Sequence, residues 1–215
     1  MIAVAVAFLL GAVAPSVSPS VTPERLPPVE RCRGEPGFEQ FHASLADAIT
    51  RRDVAALRRL TASDIRSDFD GGDSWSDFVR AWGLDSNSAM SGLWKQMAGA
   101  LALGCAPGGQ GAMTFPGMFA DIGEDIDRFE LVVARPGSKL QSRADTRSPV
   151  IATLDWSSAI LVEAEAPAGW RRVQMLHGGP LGWVRRDSLL SPLDYRLVSE
   201  RRDGRWKLTA FVVGD

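Results

Sequence analysis

The chain has 215 residues, 45% of them hydrophobic and 23% charged, and a formal net charge of -2. That is an ordinary globular composition, enough for one large domain or two small ones. A near-neutral balance of mixed sign excludes the electrostatic footprint of a nucleic-acid or anionic-membrane binder, and the Arg-Arg pairs at 51–52, 58–59, 171–172, 185–186 and 201–202 read as solvated helix or strand edges beside Asp53, Asp187 and Glu200.

Ile2 to Val13 is an uninterrupted apolar run. It is too short for a comfortable bilayer span and has the length of a signal-peptide hydrophobic region. Ala12-Val13-Ala14 supplies small residues at cleavage-type positions, although no Lys or Arg precedes the run and Pro15 follows it. Residues 1–23 therefore read as a signal peptide or N-terminal apolar leader, the alternative being a buried strand or helix. The protein is expected to be periplasmic or secreted. Residues 24–36, with Pro27, Pro28 and Pro36, read as a Pro-rich spacer. No second apolar run reaches transmembrane length, so no integral membrane domain is expected once the leader is removed. Cys32 and Cys105 either form one disulfide tying the spacer to the globular part or are two unrelated thiols.

Residues 37–129 are expected to be a mainly helical domain. Phe38, Phe41, Leu45, Ala48 and Ile49 follow helical spacing, and Asp53 is placed to cap a second short helix carrying Leu57 and Leu60. Asp64–Phe69 suggests a short strand. Ser74 can cap a helix containing Trp75, Phe78, Val79 and Trp82, and Ser88–Leu103 suggests another, ending at Gly104. After Phe129 the pattern changes to short strands at close spacing, which suggests a small barrel over residues 130–190. Their expected spans are Glu130–Ala134, Leu140–Ser142, Val150–Leu154, Ile160–Glu165, Trp170–Met175 and Gly182–Val184.

The series Leu140-Gln141-Ser142-Arg143, Ser148-Pro149-Val150-Ile151-Ala152-Thr153-Leu154, Gly169-Trp170-Arg171-Arg172-Val173 and Leu181-Gly182-Trp183-Val184 resembles a bacterial SH3 (SH3b) domain. The opening strand lacks the usual Asn and following Gly, and Trp156-Ser157-Ser158 stands where a Gly-centred turn is usual. The resemblance implies a barrel that binds cell-wall peptide or a protein segment, or one that serves as a spacer or brace. Residues 191–215 then form a terminal hairpin around Asp203-Gly204, with Glu200 facing Lys207. Its second strand is apolar on both faces, which predicts that it packs between barrel and helical half. The chain ends are also similar to an NTF2-like fold. Arg52-Asp53, Leu57, Leu60 and Asp64–Phe69 match its opening, and Asp203 to Phe211 matches its last hairpin; this would make the barrel an insertion.

The expected fold class is thus α+β, a mainly helical N-terminal domain followed by a small SH3-like barrel and a terminal hairpin. No catalytic constellation stands out. His42 and His177 are the only histidines, and Cys105 with His177 has no supporting motif. Asp68 to Asp73 fails a calcium-loop template, and no metal or cofactor is implied. Of the tryptophans, Trp183 and Trp206 are assigned to the core. Trp156 and Trp170, with His177, are the expected ligand-binding residues of the barrel. The expectation is an exported, non-enzymatic binding or scaffold protein of the cell envelope, its partner a cell-wall peptide or a protein, its oligomeric state open. The alternative is an NTF2-like small-ligand-binding or enzymatic domain, with a pocket lined by residues such as Trp75, Trp82 and Trp94 and the SH3-like barrel inserted as a brace.

Overall fold

The structure is a computed structural model that describes residues 22, 24–67, 73–162 and 165–214. The apolar leader lies outside the described residues apart from Thr22. So do most of the Asp68–Asp73 segment and two residues of the predicted Ile160–Glu165 strand.

The chain opens with β1 (Val29–Glu30) and then α1 (Phe38–Arg51), which turns Phe38, Phe41, Leu45, Ala48 and Ile49 inward. Arg52 ends α1 in the left-handed conformation, φ 55°, and the Asp53 carboxylate then caps α2 (Val54–Leu60) by accepting from the Ala56 N–H at 2.9 Å. β2 (Thr61–Arg66) follows directly. Ser74 caps α3 (Trp75–Trp82), and α4 (Leu93–Leu101) buries Leu93, Trp94, Met97 and Ala100. Next come β3 (Gly104–Pro107), β4 (Met113–Phe115) and a 3-10 turn at Gly117–Asp121. The following strands are β5 (Leu131–Ala134), β6 (Lys139–Gln141), β7 (Val150–Thr153), β8 (Ser157–Leu161), β9 (Trp170–Met175), β10 (Leu181–Arg185) and β11 (Leu189–Leu190). β12 (Arg196–Arg202) and β13 (Arg205–Val212) close the chain.

These strands make two sheets, and the expected mainly helical N-terminal domain is not what forms. A six-stranded sheet runs β1-β3-β4-β12-β13-β2, and the helices are a layer upon it. Two causes hid this sheet. β3 and β4 are 4 and 3 residues long, too short to show alternation. Its longest strands, β12 and β13, come from the far end of the chain. The terminal hairpin is therefore the centre of this sheet: β12 pairs with β4, and β13 runs parallel to β2.

The hairpin turns through Asp203 and Gly204 at φ 51° and 77°, and Glu200 faces Lys207. Its register slips between Val198 and Ser199, so Thr209 is an extra residue opposite the shorter side. That bulge reverses the alternation. Simple alternation would put Ala210 and Val212 on the Trp206 face; the bulge instead brings Phe211 into the core with Trp206 and Leu208. Phe38, Trp94, Met97, Phe115 and Leu197 fill the remaining space between helices and sheet.

The second sheet has seven strands in the order β11-β5-β8-β9-β10-β6-β7. A 3-10 turn, Arg186–Ser188, separates β10 from β11. All four residues of β5 are buried. Val132 and Ala134 join Leu140, Leu154, Ala159, Val173 and Val184 in a cluster internal to this sheet. Leu131 and Val133 point the other way, into a cluster with Leu26, Leu103, Met118, Phe119, Ile122 and Leu190. That second cluster joins the two sheets.

Cys32 and Cys105 are bonded as a disulfide, and both are fully buried. It bridges a separation of 73 residues, so the Cys32→Ser/Cys105→Ser variant should lose about 4 kcal/mol by the loop-entropy relation, measured by urea unfolding against wild type. Gly104, at φ +78°, lies so close to β1 that a Cβ would meet the Val29 carbonyl oxygen at 1.9 Å. Gly104→Ala is expected to cost about 2–4 kcal/mol in the same assay and to loosen β1 first, read as faster exchange of the Arg31 amide.

Candidate functional site

The stretch 24–36, expected as a spacer, is strapped along the molecule at several points. Its prolines forbid helix but suit an extended path, and several polar groups along that path find partners at fixed distances. Leu26 is 2% exposed and enters the cluster between the sheets. β1 lies parallel to β3, and the Arg31 N–H donates to the Cys105 carbonyl at 2.8 Å. The Arg31 guanidinium grips Asp121 with two bonds of 2.6 and 2.5 Å. Those bonds hold the Asp121 carboxyl below its ordinary range and raise Arg31.

The upstream end of this strap occupies a notch in the second sheet. β9 pairs with β8 over residues 159–161, which leaves the first part of β8 without a β9 partner. Residues 24–26 lie in that gap. The Leu26 N–H donates to the Trp156 carbonyl and the Ser158 N–H to the Glu24 carbonyl, both at 2.8 Å, and Arg25 bridges Ser157 in antiparallel fashion. The Arg25 side chain donates to the Asp155 carbonyl at 2.9 Å and pairs with the Asp155 carboxylate. Further out, Thr22 is fully buried. Its backbone N–H and its hydroxyl both donate to Asp125 Oδ1 at 2.8 Å, and the hydroxyl accepts from the Gly123 N–H at 2.9 Å. His177 Nε2 donates to the Thr22 carbonyl at 2.9 Å, which fixes the proton on that nitrogen. His177 itself sits in a turn at φ 53°.

Two of the three expected ligand-binding residues, Trp156 and His177, thus meet at this notch, and a segment of the same chain fills it. Trp156 is half-buried against the inter-sheet cluster. Trp170 is elsewhere and is a correction: it is 6% exposed, because its cross-strand partner Arg185 lies over the ring at 5.5 Å. No exposed groove is formed by Trp156 with Trp170. Trp206 is in the core as expected, whereas Trp183 is half-buried under Arg172 at 5.9 Å. Thr22, Arg25, Asp125 and Asp155 were not legible as site residues, since the contacting partners stand 103 to 130 positions apart.

The other chemistry resolves into packing. His42 stacks on Phe38 and lies 5.3 Å from the Phe115 ring. Trp75 stacks on Phe78, Trp82 packs on Tyr195 and Phe211, and Trp94 Nε1 donates to the Ser88 carbonyl at 2.6 Å. The three tryptophans of the expected pocket are therefore spent on the core and its margin. Glu30, Cys32 and Cys105 gather their heteroatoms within 4.8 Å. The sulfurs are bonded to each other, so neither offers the thiolate that a metal or a nucleophilic mechanism would need. Among the described residues no helix is long and apolar enough to cross a membrane. Compared with known protein families, curated proteins and solved structures, the chain matches none of them.

Folding holds the Asp125 carboxyl below its ordinary range, first through the Thr22 hydroxyl and then through the Thr22 N–H, with attraction from His177 a smaller cause. A carboxyl lowered in this way stabilises its contacts above the unfolded value and loses that contribution as pH falls through the folded one. Acidification through and below the ordinary carboxylate range should therefore release Thr22. The Thr22 and Gly123 amide NMR resonances should move together in that titration, and Asp125→Asn should abolish their common acid transition.

Proposed function

We propose that this is an exported, non-enzymatic scaffold or binding protein of the cell envelope, with the seven-stranded sheet as an SH3-like module fixed to the six-stranded one. The observation that carries this reading is the shared apolar cluster of Leu26, Leu103, Met118, Phe119 and Ile122 with Leu131, Val133 and Leu190. A freely tethered binding module keeps a polar outer surface where it faces its neighbour; this one is seated on its neighbour through buried leucines and valines. The SH3-like assignment draws on the strand order and on the 3-10 turn between β10 and β11. Export draws on the apolar leader and on a buried disulfide, a bond that persists in oxidising compartments.

The proposed partner is cell-wall peptide. The proposed contact is the outer edge of the second sheet at β7, where Val150 and Ile151 are 50% and 44% exposed. Sedimentation of the mature protein with isolated sacculi tests this. Wild type should co-sediment and Val150→Glu/Ile151→Glu should stay in the supernatant. Absence of wild-type binding, or equal binding by both, removes the wall-binding reading.

The small-ligand alternative keeps one observation in its favour. The opening helices, β2 and the last hairpin share one sheet, so the seven-stranded unit is inserted into a discontinuous one, as the NTF2-like resemblance implies. The place of its pocket is filled by Phe38, Trp94, Phe115, Leu197 and Phe211.

A further inference from the structure

The notch at the start of β8 has the features of a peptide site. One strand offers backbone groups that β9 does not pair, an exposed polar corner stands at one end and an apolar pocket at the other. Strand addition supplies affinity through main-chain bonds, and separate side-chain pockets supply selectivity. The backbone groups here are the Trp156 carbonyl and the Ser158 N–H. The polar corner is Asp125 with the Gly123 N–H and His177. The carboxylate of Asp155 stands between, and the inter-sheet cluster receives the leucine.

We propose that this notch is a recognition site for an extended peptide of the form Thr-x-x-Arg-Leu, and that Thr22 and residues 24–26 are its resident ligand, held in cis. Three observations separate a resident ligand from an integral strand. The internal cluster of the second sheet, from Val132 to Val184, contains no residue of the segment, so that core closes without it. The segment contributes one side chain, Leu26, to the cluster between the sheets. Its other anchors are polar, and the Arg25–Asp155 pair is more than half exposed, 59% and 55% at the two side chains. Pro27 and Pro28 then separate the segment from β1 and the disulfide. The covalent anchor at Cys32 thus holds the ligand near its site when the notch is vacated. Tethering of this kind keeps the local concentration high, so an outside peptide competes poorly while the resident is intact. This inference stands on the notch alone and does not depend on wall binding at β7.

The test uses a fluorophore-labelled peptide with the sequence of residues 20–28, titrated into the full chain and read by fluorescence anisotropy. The Thr22→Ala/Arg25→Ala variant weakens the resident and should bind the peptide at least tenfold more tightly than wild type. Adding Asp125→Ala/Asp155→Ala, which removes the acceptors, should return affinity to the wild-type level or below. Equal affinity of wild type and the resident-weakened variant overturns the proposal, and so does binding that ignores Asp125 and Asp155. Thermal unfolding of each variant is the companion measurement. A displaceable ligand leaves the sheet folded, so loss of cooperative unfolding in Thr22→Ala/Arg25→Ala also overturns it and makes the segment an integral strand.

Discussion

β5 must bury both of its faces, and much of the architecture follows from that. Leu131-Val132-Val133-Ala134 alternates between two apolar clusters, one internal to the seven-stranded sheet and one shared with the rest of the chain. Each fully buried Leu or Val stabilises by about 1.5–3 kcal/mol relative to exposure. A strand that sends side chains both ways cannot sit on the outer wall of an independent domain. It forces something apolar onto its second face, and Leu26, Leu103, Met118, Phe119 and Ile122 supply it.

The strap from Thr22 to Cys32 is the counterpart of that constraint. Leu26 fills part of the shared cluster, but one leucine cannot order a proline-rich segment against its conformational entropy. The remaining order comes from directional contacts: Thr22 on Asp125, Arg25 on Asp155, β1 on β3, Arg31 on Asp121, and the disulfide. These contacts grade from hydrogen bonds at the buried Thr22 and an exposed ion pair at Arg25 to the covalent bond at Cys32. The end that fills the notch is thus the end held by the weakest bonds, whereas β1 is pinned by the close approach that Gly104 permits.

The two functional readings use different parts of the second sheet. Among the described residues β7 stands at the end of its sheet, and the proposed wall contact uses its exposed Val150 and Ile151. The notch is occupied by the chain itself, which explains why the aromatic and histidine signals in the second sheet do not add up to an open groove. Of the tryptophans assigned to a small-ligand pocket, Trp75 and Trp82 are consumed by ring packing with Phe78, Tyr195 and Phe211, and Trp94 is buried in the core. What remains for recognition is mostly backbone and carboxylate, a chemistry that suits extended peptides more than compact apolar ligands.

The sequence by itself determined the local features. The caps at Asp53 and Ser74, the inward stripe of α1 and the Asp203-Gly204 hairpin with Glu200 opposite Lys207 each depend on residues a few positions apart. Tertiary structure decided everything that needed distant partners. It placed the last hairpin at the centre of a sheet begun by β2, because parallel pairing leaves no local trace. It moved Phe211 inward through a one-residue bulge that alternation cannot foresee. It covered Trp170 with Arg185, and it delivered Thr22 to Asp125 across 103 residues. Periodicity and capping report short-range sterics and hydrogen bonding, whereas burial and partnership are properties of surfaces that meet only when the chain has folded.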